Sequence, residues 1–127
     1  MDKHNLKIKI GDLEFKNPFF CGSAEHFIEE AGIKKAVEEG AAVVVAKSTN
    51  ESENAKTQLD KTDYALIDSS LNSISWDLAS DKSIGLIGRS GLVNHDSKEW
   101  LKKISELDKW AEKKHSYVAA SIIPRNM

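Results

Sequence analysis

Residues 41–47, AAVVVAK, decide the fold: a valine-rich apolar run without polar alternation is what a strand covered on both faces requires, and it stops at a lysine. Just upstream, Ile28, Ala31, Ile33, Ala36 and Val37 fall mostly on one helical face between glutamates and lysines. Gly40 stands where a left-handed cap ends a helix, while Gly32 weakens the helical pattern. Before that helix, Phe19, Phe20 and Cys21 form a short apolar run cut off by Gly22 and Ser23, which predicts a buried strand ending in a tight polar loop. Strand, helix and strand in this order make a parallel βαβ unit, so the expected fold class is α/β.

Working outward, LKIKIGDLEF at 6–15 alternates apolar and polar residues on either side of Gly11-Asp12, predicting a β-hairpin with one apolar face. Lys16, Asn17 and Pro18 then break the pattern. Downstream, residues 48–83 turn polar and irregular around two weakly apolar pieces, 64–67 and 71–76. They read as a long connection without regular structure of its own, of the kind that is usually functional or mobile. SIGLIG at 83–88 reads equally as a short strand or a loop. Asp96 is an N-cap candidate with Glu99 three residues on, and Trp100, Leu101, Ile104, Leu107, Trp110 and Ala111 share one helical face. Lys113, Lys114 and His115 suit the negative end of that helix, and SYVAASII at 116–123 reads as a third buried strand.

Composition bounds the function. The 127 residues are 40% hydrophobic and 30% charged with a net charge of -2, which is the make-up of one soluble globular domain, without the field that gathers nucleic acid or an anionic membrane. A single cysteine, Cys21, excludes an internal disulfide and fits a reducing cytoplasm. Residues 1–9 build no apolar signal core and no apolar run approaches the ~20 residues that span a bilayer, so neither secretion nor a membrane anchor is expected. His26, His95 and His115 lack metal-ligand spacing, and no metal site is expected.

In parallel α/β proteins, ligands sit beyond the carboxyl ends of the strands. Three such ends are readable: 21–24, 46–49 and 120–122. Lys47 either places a cation at the rim of an apolar site or simply ends its strand and reaches solvent. Ser23 has an alternative reading as a loop or cap residue, and Asn72 as half of an Asn-Ser turn. Cys21 reads as a small core residue and the three tryptophans as core, not as cofactor stackers.

LEFKNPFF at 13–20, Cys-Gly-Ser-Ala at 21–24, VVVAKST at 43–49, LNSIS at 71–75 and VAASI at 118–122 come in an order that carries a family likeness. The chain resembles the start of the FMN-dependent dihydroorotate dehydrogenases and of the pyrimidine-reducing domain of dihydropyrimidine dehydrogenases. In that family an F-x-NP entry leads into the first barrel strand, the second strand ends in Thr-Lys-Thr or Thr-Lys-Ser, and an Asn-Ser segment follows in a long loop. The resemblance implies that residues 1–127 are the N-terminal portion of a (β/α)8 TIM barrel preceded by a β-hairpin. It implies FMN as cofactor, with Gly22 and Ser23 passing beside the flavin, Lys47 and Ser48 contacting its ring and ribityl chain, and Asn72 hydrogen-bonding a pyrimidine substrate. The implied activity is hydride transfer between flavin and a dihydropyrimidine such as dihydroorotate or dihydrouracil.

Ala46 and Cys21 depart from the threonine and the alanine or serine more common in the family, and Asn72 is not followed by the Gly-Leu pattern of the dihydroorotate enzymes. A complete barrel needs about 200 residues or more, and neither the family's catalytic cysteine or serine nor its glycine-rich phosphate loop has a counterpart here. The expectation is therefore an inactive isolated chain that needs the remainder of the barrel or a second copy of itself. The alternative is a non-catalytic half-barrel that forms a homo-oligomer or pairs with a complementary chain. An open flavodoxin-like binding module is disfavoured, because no glycine-rich phosphate loop follows either early strand.

Overall fold

The computed structural model describes residues 5–52, 63–76, 84–89 and 91–124. Parts of the expected long connection, at 53–62 and 77–83, lie outside the described residues. The chain is a mixed α/β domain with three separate open sheets among the described residues. The first is the hairpin β1 (Ile8–Ile10) and β2 (Leu13–Phe15), joined through Gly11 at φ 59. Its apolar face covers the sheet only at one end. Phe15 is buried and Ile8 partly so, while Ile10 and Leu13 next to the turn stay exposed.

The second sheet is parallel. Strands β3 (Phe20–Cys21), β4 (Val43–Val45) and β8 (Tyr117–Ala119) lie side by side in sequence order. Alternation along β4 and β8 splits the core. Val44, Ala46 and Val118 face α1 (Glu30–Glu38) and α2 (Ser97–Glu112), whereas Val43, Tyr117 and Ala119 pack with Phe15 of the hairpin. Ile33 and Val37 of α1 join Trp100, Ile104, Leu107 and Ala111 of α2 in the larger cluster, each such large side chain contributing about 1.5–3 kcal/mol by leaving water.

Local chemistry sets the helix ends. Gly40, at φ 107, donates to the Val37 carbonyl while Ala41 donates to Ala36, the paired bonds of a Schellman motif. His115 repeats this geometry after α2 at φ 54, with His115 bonded to Glu112 and Ser116 to Ala111. Asp96 caps α2 by accepting from the backbone N–H groups of Lys98 and Glu99. A Cβ at Gly32 would collide with the His26 carbonyl, so close approach to the preceding turn (Glu25–Phe27), not helix propensity, explains a glycine inside α1.

Three expectations are corrected. Phe19 and Phe20 are 61% and 43% exposed, because β3 is an edge strand whose outer side has no neighbour among the described residues. The long connection has regular structure: β5 (Asp63–Ile67) pairs antiparallel with both β6 (Ser73–Ile74) and β7 (Gly85–Arg89), which also makes SIGLIG largely a strand. Trp76 is 60% exposed and belongs to no core, unlike Trp100 and Trp110. Across the sheet from β3, the outer edge of β8 is partly covered: the Val118 N–H donates 2.8 Å to Asp108 of α2.

Candidate functional site

The carboxyl ends of β3, β4 and β8 converge, and their polar side chains meet in a row. The Ser48 N–H donates to Ser23 Oγ at 3.1 Å, and the two hydroxyl oxygens lie 3.2 Å apart. Ser48 Oγ is in turn 2.8 Å from Ser121 Oγ. Parallel pairing beyond β8 fixes this register, with Thr49 donating to the Ser121 carbonyl and Ile123 to the Thr49 carbonyl. Asn50 closes the end through a 2.6 Å bond to the Ile123 carbonyl.

Lys47 is only 6% exposed, so it does not end its strand in solvent. A buried ammonium requires a compensating anion, and Glu25, in the turn after β3, lies 3.1 Å from Nζ. The Lys47 backbone is anchored on both sides: its N–H donates to the Phe27 carbonyl and its carbonyl accepts from the Trp100 indole at 3.1 Å. Gly22 is exposed with open space where a Cβ would stand, leaving this edge of the rim accessible. Of the expected site residues, Ser23, Lys47 and Ser48 thus come together beside Gly22. Asn72 is exposed at the β5–β6 turn, and its backbone bonds run to Asp68 in that same turn.

Sequence reading missed Glu25, and it placed Ser121 at the third strand end without giving it a role. A lysine inside an apolar strand was a signal for an acidic partner nearby. Only the pairing of β4 with β8, in contrast, shows that Ser121 touches Ser48. Thr49 Oγ1, next in line, is buried without a hydrogen-bond partner among the described residues. Behind the rim, a cavity of about 350 Å³ is lined by Glu29, Glu30, His95, Glu99, Trp100 and Lys103. Hydrogen bonds from Lys103 and Lys34 hold the Glu30 carboxyl down at about 2. Chemically, the rim offers one paired ammonium and three linked hydroxyls beside an open glycine, a set suited to an oxygen-rich, polar ligand edge. Among the described residues no group of His, Cys, Asp and Glu is arranged to hold a metal ion, and no helix is long and apolar enough to cross a membrane.

No family model matches this chain. No curated protein matches it either.

Proposed function

We propose that the chain forms part of an FMN-dependent oxidoreductase that passes a hydride between flavin and a (dihydro)pyrimidine, and that it supplies the flavin-facing rim. The carrying observation is the convergence of Ser23, Lys47 and Ser48 at the carboxyl ends of parallel strands, where α/β enzymes place their ligands. The sequential order β3–β4–β8 is also that of consecutive strands in a (β/α)8 barrel. Linked hydroxyls beside an open glycine are donor types that the pyrimidine edge and polyol chain of a flavin would accept; its phosphate would be held by other elements.

Bound here, FMN would supply hydride acceptance and donation. Lys47 would hold a buried ammonium just beneath the rim, fixed and compensated by Glu25. Ser23 and Ser48 would orient the ring by hydrogen bonding. The chain carries no assigned catalytic acid or base, so turnover requires the remainder of the barrel or a second copy. The single unpaired cysteine favours the cytoplasm as the working compartment.

The test is the absorbance spectrum and intact mass of the protein purified from its native source. Flavin bands travelling with this chain are expected; a flavin-free protein that also fails to quench added FMN overturns the reading.

A second reading, a non-catalytic half-barrel that pairs with its own copy, is favoured by the exposed Phe19 and Phe20 on the open edge of β3. Sedimentation as a concentration-independent monomer rules it out.

A further inference from the structure

Ser121 is given no role toward the flavin above, yet it makes the shortest contact in the serine row. The row holds three hydroxyls and two oxygen–oxygen contacts, Ser23 to Ser48 at 3.2 Å and Ser48 to Ser121 at 2.8 Å. Each contact consumes one hydrogen, so one hydroxyl hydrogen is left over. Three arrangements exist. In the first, Ser121 donates to Ser48 and Ser48 to Ser23, which frees the Ser23 hydrogen. In the second the sequence is reversed and the spare hydrogen emerges at Ser121. In the third both outer hydroxyls donate to Ser48, whose own hydrogen is then spare.

The two ends differ. Ser23 is exposed beside the open Gly22 edge, while Ser121 is half-buried. Ser23 Oγ already accepts the Ser48 N–H, so once the Ser48 hydroxyl also donates to it both lone pairs are filled and its own hydrogen is the group left to offer outward. A carbonyl oxygen arriving at this edge selects the first arrangement, in which Ser121 is the origin of the donor chain. We propose that Ser121 is a positioning residue: it sets the hydrogen order of the row so that Ser23 presents a donor to a carbonyl or hydroxyl oxygen of the bound flavin. This rests on the flavin reading above and adds to it a residue that need not touch the ligand.

The experiment is a fluorescence-quench titration of FMN into the wild-type chain and into Ser121→Ala, Ser121→Thr, Ser23→Ala and the double alanine variant, together with the NMR shift of the Ser48 amide proton in each. Losing one neutral hydrogen bond is expected to weaken FMN binding about three- to tenfold in Ser121→Ala. Ser121→Thr, which keeps the hydroxyl, should bind within about twofold of wild type. Because both serines act through one chain, the double variant should bind no more weakly than Ser23→Ala alone. Additive losses, or wild-type affinity in Ser121→Ala, overturn the proposal. Should the wild-type chain show no quenching, the flavin reading fails, and the Ser48 amide then decides the row separately. A shift moved by Ser121→Ala and restored by Ser121→Thr supports the coupling, and an unmoved one refutes it.

Discussion

The indole N–H of Trp100 donates a 3.1 Å hydrogen bond to the backbone carbonyl of Lys47, tying the first turn of α2 to the end of β4. Trp100 is 3% exposed, so this carbonyl has no access to water when the indole is removed. Trp100→Phe keeps most of the ring but orphans the acceptor, and a loss of about 1–3 kcal/mol is expected. Urea unfolding followed by circular dichroism, with an unchanged denaturant slope, measures it; an unaltered midpoint would show that the bond contributes nothing.

His115 adopts φ 54 at the position after α2 where a Schellman motif favours glycine. Left-handed backbone costs a side-chain-bearing residue about 1–2 kcal/mol, so His115→Gly should raise stability by about 1 kcal/mol. His115→Ala keeps the steric cost and should not. Thermal melts of the two variants separate relief of backbone strain from loss of the imidazole.

Glu30 links the two helices, bonding Lys34 on its own helix and Lys103 on α2. Its carboxyl is lowered from 4.5 to about 2, first by the hydrogen bond from Lys103 and then by that from Lys34. A depressed carboxylate favours the folded state above its unfolded value, and this contribution disappears as pH falls from about 4.5 through 2. Glu30→Gln should therefore flatten the acid limb of the stability profile while changing little at lower pH still. Both side chains are partly exposed, so the effect should also shrink with added salt. An acid limb identical to that of wild type counts against the clamp.

Thr49 hides a hydroxyl that bonds nothing among the described residues. Thr49→Val keeps the branched shape and removes the unmet polar group, so stability should hold or rise by about 1 kcal/mol in chemical unfolding. A clear drop would mean that the hydroxyl has a partner in solution.

Sequence and structure agree where local pattern and tertiary role coincide. Val43–Val45, the Asp96 cap and the Gly40 terminus each carry a short-range signal strong enough to survive packing. Strands β5 to β7 do not: Asp63, Ser73, Gly85 and Gly88 interrupt them, and only mutual pairing makes them strands. Gly88 illustrates this, since the Tyr64 ring occupies the space a Cβ would take. The exposure of Phe19 and Phe20 was equally unreadable, because apolarity does not reveal which strand lies at an edge. Lys47, Ser23, Ser48 and Ser121 were all legible as strand-end residues, whereas the contact of Ser121 with Ser48 follows from register alone.

Val93, fully buried, donates its N–H to the Ser48 carbonyl at 2.9 Å. The chain thus departs from the sheet after Asn50 and comes home beside its point of departure, as through a narrow neck. Between these points the described strands β5 to β7 form a sheet separate from the one that fixes the serine row. Doubling the length of such an excursion costs only about 0.6 kcal/mol in closure entropy. The neck is therefore a natural graft point, at which segments of different size and chemistry can be exchanged above the rim while the rim itself keeps its geometry.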